Sequence, residues 1–263
     1  LVRQAVELGA DLIKVDPTAP MSDFGQIVEI ASQVPQKAKI LAQTFWPGPL
    51  TLILPKKSTI SDLITAGHST VAVRIPNHKV ALDLLRKVKV PLAAPSANPF
   101  TGISPTRSKH VQNYFGDDLS FILEGGTCDR GVESTIVECI NTATILRPGA
   151  ISREDIESVI RISMSLDTGE SRAPGMLASH YSPAARVVLV ETVEDLNIHL
   201  SQFSASGTSC ASLHFDSLQE YAFHLYSSLR QADESGVDVV VALLPPAQGL
   251  GIAIRDRLRK ASN

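Results

Sequence analysis

The sequence predicts an α/β protein: a twisted sheet domain wound with helices, followed by a second, small, Rossmann-like α/β domain. Three observations carry this. Short apolar runs alternate with amphipathic stretches from the start of the chain to about residue 163, the pattern of strands and helices in a layered fold. SMSLDTGESRAPGM (163–176) then breaks that pattern with serines, glycines and few apolar side chains, as a linker or lid does. The alternation resumes at Arg186. The chain therefore reads as a larger domain over 1–163, a linker over 164–185 and a small domain over 186–263.

The elements follow in order. Leu1 to Leu8 has the apolar spacing of an amphipathic helix, with Gly9 as its stop, and Leu12 to Val15 is a short strand. Phe24–Val34 and Lys37–Phe45 read as helices separated by Pro35. Trp46-Pro47-Gly48-Pro49 is a rigid turn, with the single tryptophan as a packing anchor, and leads into a buried strand over Leu50–Leu54. Thr70–Ile75 is a strand, Lys79–Lys87 a helix and Val88–Ala94 a further strand. Thr106–Tyr114 is a helix. Short strands are expected at Phe121–Leu123, Ile136–Val137 and Thr144–Leu146, and EGGTCDRG (124–131) is a polar turn. Ser152-Arg153-Glu154-Asp155 has the form of a capping box ahead of a helix over Ile156–Ile162. In the small domain, strands are expected at Arg186–Val190 and Val237–Leu243. Helices are expected at Val193–Phe203, Leu218–Leu229 and Ile252–Lys260.

The totals narrow the function. The chain has 263 residues, 44% of them hydrophobic and 19% charged, enough for a sizeable core and too apolar for wholesale disorder. A net charge of −3 argues against a nucleic-acid binder held by bulk electrostatics. No apolar run approaches a membrane span and no charged-then-apolar leader opens the chain. Cys128, Cys139 and Cys210 form no CxxC pair, which fits a reducing cytoplasm. The histidines are scattered, so a zinc site is not expected. No GxSxG elbow, no GxxxxGK[ST] loop and no outstanding carboxylate pair occurs, and Gly249-Leu250-Gly251 is too little for a nucleotide loop.

What remains is a set of arginines and hydroxyls at strand ends. PLAAPSANPFTGISP (91–105) runs from a predicted strand into a loop of small residues. Its backbone and the hydroxyls of Ser96 and Ser104 could meet a ligand at close range, or the loop could simply join a strand to a helix. Arg74 shares a strand face with Thr70 and Ala72. It either meets an anion there or faces solvent on an edge strand. Ser134 and Thr135 open one strand, as turn hydroxyls or ligand contacts, and Arg147 ends another. Arginines with hydroxyls suit an anionic, oxygen-rich ligand better than acid–base hydrolysis.

Six motifs occur in one order: FWPGPLTLILP (45–55), TVAVRIP (70–76), PLAAPSAN (91–98), GVESTIV (131–137), LRPGAI (146–151) and APGMLASHYSP (173–183). With them the chain resembles the YrdC-like threonylcarbamoyl-AMP synthases in their two-domain form, from about residue 37 to 186 and more weakly to the end. The resemblance implies a twisted α/β sheet around a cavity with a linker across its mouth. It implies synthesis of threonylcarbamoyl-AMP from L-threonine, bicarbonate and ATP, with release of pyrophosphate. The product passes to threonylcarbamoyl-transferase proteins that modify tRNA. By resemblance, Arg74, Ala94 and Ser134 would hold threonine, and Thr70, Ser96, Ser104, Arg147 and Tyr181 the nucleotide, with Mg²⁺ across the phosphates and no covalent nucleophile. Residues 1–36 depart from the family. They hold neither its Thr-Glu-Thr-Val-Tyr-Gly-Leu-like loop nor its Lys-x-Arg triphosphate segment. The departure leaves two readings open: the segments are missing from this stretch of sequence, which the intact site motifs favour, or the chain is a cut-down relative that binds nucleotide or RNA without catalysis.

Overall fold

A computed structural model describes residues 18–99, 102–166 and 181–263. The helix and strand expected within 1–17 and most of the expected linker lie outside the described residues. The chain divides into two compact units, Leu1–Ser96 with Val137–Thr144, and Ala97–Ile136 with Ile145–Asn263.

The first unit is built on a mixed sheet. Strand β3 (Thr70–Arg74) is an interior strand, second from one edge, parallel to β1 (Thr18–Pro20) and antiparallel to β2 (Leu50–Pro55). The register places Ala72 opposite both Thr18 and Ile53, and Arg74 opposite Pro20. β2 is buried almost throughout, which explains its unbroken apolar sequence. Beyond β2 lies β4 (Thr135–Glu138), then β5 (Thr144–Arg147) and β6 (Ser165–Leu166).

Helices of this unit bury the faces their sequences specify. The segment expected as one helix from Phe24 divides into a 3₁₀ turn, Phe24–Gln26, and the short α1, Ile27–Ile30. It ends because Ala31 turns extended and bridges to Lys56. α2 (Gln36–Phe45) buries Ala38, Leu41 and Ala42, the i, i+3, i+4 stripe of an amphipathic helix. The Trp46 indole donates to the Leu50 carbonyl at 2.7 Å, so the tryptophan anchors the turn as expected. α3 (Lys79–Val88) buries Leu82 and Leu85.

Two expected strands do not form. Val88 belongs to α3, Lys89 caps that helix at φ 59°, and residues 90–94 are irregular except for a lone bridge at Ala94. Pro91 and Pro95 supply no ladder donor, and Val90 is 52% exposed, so small apolar residues alone made the run look like a strand. Phe121–Leu123 is likewise irregular, with Phe121 78% exposed, because three apolar residues without alternation do not fix a pairing.

The second unit contains α4 (Ser108–Phe115), α5 (Arg153–Ile160) and a three-stranded parallel sheet in the order β7-β9-β8. Its strands are β7 (Arg186–Val190), β8 (Cys210–Leu213) and β9 (Val239–Leu243). β9 is central and buried on both faces. Val239 and Val241 pack with Leu196 of α6 (Val193–Ala205). Val240 and Ala242 pack with Leu225 and Leu229 of α7 (Leu218–Glu234) and with Ile254 and Leu258 of α8 (Leu250–Ala261). Helices on both faces of a parallel sheet give the expected Rossmann-like small domain. β8 went unseen in the sequence because CASL is too short and weakly apolar to signal a strand.

Capping sets the helix starts. Ser152, Thr192 and Ser217 each accept the backbone N–H three residues on, from Asp155, Asp195 and Glu220, at 3.0–3.1 Å. Gly251 fits against Pro246, since a Cβ there would lie 1.9 Å from its carbonyl oxygen, so this glycine serves packing and not phosphate. Among the described residues no helix is long and apolar enough to cross a membrane.

The hydrophobic cluster around α7 and α8 also takes in Ile103, Val132, Ala150 and Tyr181. The closest approach is at Gly131, where a Cβ would fall 1.9 Å from the Ala222 carbonyl oxygen and 2.3 Å from that of Phe223. Gly131→Ala must push α7 away, at a cost of about 1–3 kcal/mol. Chemical denaturation of the variant will show that loss; unchanged stability would mean that α7 is not held this close.

Candidate functional site

The expected site residues divide by unit. In the first, Thr70 begins β3 and Arg74 ends it, both half-buried. They are four residues apart on a strand, so they share a sheet face. β3 is paired on both sides, which excludes the edge-strand placement of Arg74. The Arg74 carbonyl accepts from the Met21 N–H at 2.9 Å, so the backbone beneath the guanidinium is fixed. Ala94 and Ser96 lie on the irregular, exposed segment after α3.

In the second unit, Ser104, Ser134, Arg147 and Tyr181 gather around one residue the sequence reading passed over, Glu133. Ser104 Oγ donates to Glu133 Oε1 at 2.8 Å, and Tyr226 Oη donates to the same oxygen at 2.7 Å. Arg257 Nε donates to Glu133 Oε2 at 2.9 Å. Arg147 lies beside this group, 7% exposed, and donates to Ser134 through two nitrogens: Nε and Nη2 reach the carbonyl at 3.2 and 2.9 Å, and Nη2 also reaches the hydroxyl at 3.1 Å. Tyr181 is 2% exposed. Its ring lies 5.3 Å from that of Tyr226, and the Arg257 guanidinium carbon lies 5.6 Å from its centre. Tyr181 also takes a left-handed φ of 64°, an uncommon conformation for a bulky residue.

Local backbone contacts hold this arrangement. Thr135 Oγ1 donates to the Ile151 carbonyl at 2.6 Å and accepts from the Ile151 N–H at 3.0 Å, and the Ala150 N–H donates to the Glu133 carbonyl at 2.9 Å. A Cβ at Gly149 would sit 2.5 Å from the Glu133 carbonyl oxygen, so LRPGAI needs its glycine where the chain passes behind GVEST. On the other side, Arg230 of α7 donates to the Ile103 carbonyl and, at 2.9 Å, to Tyr114 Oη.

Charge explains the stability of the cluster. Burial works against the Glu133 carboxylate. The guanidiniums of Arg257 and Arg147 and the hydroxyls of Tyr226 and Ser104 outweigh it and hold the carboxyl at about 2, well below its ordinary value. Burial, with the Glu133 charge, pushes the Tyr181 phenol up to about 12. Neutral hydroxyls and fixed guanidiniums can orient anionic oxygens, with the Glu133 carboxylate charged and the Tyr181 phenol neutral near pH 7.

Comparison with known proteins agrees with the motifs. A family model for the Sua5, YciO and YrdC proteins, described as telomere recombination, matches residues 18–149. A second, described as the C-terminal domain of threonylcarbamoyl-AMP synthase, matches residues 151–263. This chain belongs to the threonylcarbamoyl-AMP synthase family. The threonylcarbamoyl-AMP synthase of Pyrococcus abyssi is 39% identical over 92% of this chain and 78% of its own length. That of Bacillus subtilis is 37% identical over the same shares. The solved structure of P. abyssi Sua5 complexed with L-threonine superposes with a TM-score of 0.89 at 34% identity, covering 99% of this chain and 84% of that one. Within the family frame, Glu133 belongs to the first matched segment and its partners Tyr226 and Arg257 to the second.

The Glu133 carboxyl titrates far below its unfolded value near 4.5, so its contribution is complete above that value and is lost as pH falls toward 2. By linkage this is worth roughly 3 kcal/mol at neutral pH. Glu133→Gln is therefore expected to be less stable than the wild type at pH 7, with the gap closing as pH falls from 4.5 to 2. Denaturation midpoints across that range will show it; a gap independent of pH would mean that the charge of Glu133 contributes nothing.

Proposed function

We propose that this protein is a threonylcarbamoyl-AMP synthase, acting on L-threonine, bicarbonate or carbon dioxide, and ATP. The observation that carries the reading is the match of both family segments, one after the other, to relatives of that name. The L-threonine in the P. abyssi structure supports threonine as the amino-acid substrate. The amine of threonine adds to the carbon of carbon dioxide and loses a proton, giving a carbamate. A carbamate oxygen attacks the α-phosphorus of ATP, a new P–O bond forms, and the bond to the leaving pyrophosphate breaks. No protein nucleophile is required, so the chain contributes position and charge.

In this reading Arg74 takes the threonine carboxylate in a two-pronged pair, supported by its place at the end of a strand paired on both sides. The Ala94 backbone and Ser134 complete the threonine contacts. Thr70, Ser96, Ser104 and Arg147 serve the nucleotide, and Tyr181 packs at its edge. The buried Arg147–Ser134 pair supports a joint role, since one guanidinium orients the hydroxyl meant for threonine. The described residues hold no group of three or more His, Cys, Asp or Glu side chains suited to a metal. They do not supply a cage for Mg²⁺, which we expect to arrive on the triphosphate oxygens. The cytoplasm is the proposed setting, with residues 164–185 as linker and a threonylcarbamoyl-transferase as the next partner.

Pyrophosphate release from ATP should require both L-threonine and bicarbonate. Threonine binding without any release would favour the non-catalytic relative. Arg74→Ala should lower threonine affinity by about 100-fold, as for a lost charge-assisted pair of about 3 kcal/mol, and leave the fold intact. Isothermal calorimetry with threonine checks this, and unchanged affinity would remove Arg74 from the site.

A further inference from the structure

We infer that the C-terminal segment positions the substrate-contacting residues: Tyr226 of α7 and Arg257 of α8 act through Glu133 on Ser104, Ser134 and Arg147. The inference rests on the reading of those three residues as substrate contacts. Neither Tyr226 nor Arg257 need touch substrate, so both are positioning residues.

The geometry carries the argument. Glu133 precedes Ser134 directly and offers two carboxylate oxygens. Oε1 takes the hydroxyls of Ser104 and Tyr226, and Oε2 takes Arg257 Nε. Arg257 is itself steered, since its Nη1 donates to Asp256, whose carboxylate also takes Lys260 at 2.8 Å. The guanidinium is 1% exposed, so it cannot exchange this carboxylate for water.

Two guanidiniums face Glu133, and they have different tasks. Arg257 neutralises the carboxylate. That leaves Arg147 to hold the Ser134 carbonyl and hydroxyl. Without Arg257, the other guanidinium that acts on Glu133 is Arg147, and drawing it there takes it from Ser134. Tyr226 acts on the other oxygen. With its hydroxyl gone, Oε1 is left to Ser104 alone and pulls that side chain further from a ligand. Arg230 steadies the same loop from α7 through the Ile103 carbonyl. The C-terminal segment thus reaches the loop of Ser104 and the start of β4 by separate side chains, and its effect should fall on substrate affinity more than on turnover.

The test is steady-state kinetics of Tyr226→Phe, Arg257→Lys and Arg257→Met, with threonine calorimetry on the same proteins. Tyr226→Phe deletes one oxygen and is expected to fold even if Arg257→Met does not. We expect Tyr226→Phe, which acts through Oε1 on the nucleotide contact Ser104, to raise the ATP KM on the order of tenfold with kcat changed less than about threefold, as for one lost positioning hydrogen bond. Arg257→Met, which acts through Arg147 on the threonine contact Ser134, should raise the threonine KM and calorimetric Kd by a similar factor, and Arg257→Lys should recover part of that loss. In a Glu133→Ala background, Tyr226→Phe should add less than about twofold, since the carboxylate it acts through is gone. Variants that melt earlier yet keep the wild-type ATP KM, for Tyr226→Phe, and the wild-type threonine KM and Kd, for Arg257→Met, would overturn the inference, as would an undiminished effect of Tyr226→Phe in Glu133→Ala. Absence of threonine-dependent pyrophosphate release by the wild type would overturn the proposed activity instead, and calorimetry with threonine would still decide the role of Arg257 and calorimetry with ATP that of Tyr226.

Discussion

A carboxylate withdrawn from water must be answered by donors, and in this protein that constraint falls on Glu133. Its oxygens are met by Ser104, Tyr226 and Arg257, residues 29, 93 and 124 positions away. A buried charge whose partner is removed costs more than the pair is worth when complete, so each donor is required by the others. The surrounding backbone follows from this. Gly131 and Gly149 allow α7 and the end of β5 to come close enough on either side of Glu133 for the donors to reach. Tyr181, Val132 and Ala150 then fill the apolar space around the charges.

Local signals made much of this chain legible. β2, β3, β4 and β5 lie where apolar runs placed them, because burial on both faces leaves a continuous apolar record. Ser152 was readable as a cap because the hydroxyl and the carboxylate three residues on are a local code. The strands expected at 88–94 and 121–123 failed for a complementary reason: apolar residues set a preference, and a strand also needs a neighbour and free N–H donors. Pro91 denied the first segment one of those donors.

The Glu133 cluster was not legible in that way, since no short window contains it. One signal was nonetheless present. On α8, Ile254, Arg257, Leu258 and Ala261 share a face at i, i+3, i+4 and i+7, and all are buried. An arginine on the apolar stripe of a helix must find an anion, just as Glu133 between Val132 and the buried Ser134 must find a cation. Reading the two anomalies together would have paired them. Reading each motif by its hydroxyls and arginines alone passes over the carboxylate that organises them.

The two groups of candidate residues are supported by different physics. Arg74 stands on a strand paired on both flanks, so its Cα is fixed by repeated backbone hydrogen bonds that a single side-chain change barely disturbs. Ser104 sits on a loop and Ser134 precedes a strand, where the ladder offers less, and the deficit is made up by side chains and charge. Such support is more easily perturbed by substitution and by acid. It also lets residues far along the chain, on α7 and α8, influence atoms at the start of β4. For chemistry that depends on aligning a carbamate oxygen with a phosphorus atom, small displacements of the contacting groups matter greatly. A C-terminal segment that contributed only bulk would have no reason to send a buried arginine and a tyrosine hydroxyl to the same carboxylate.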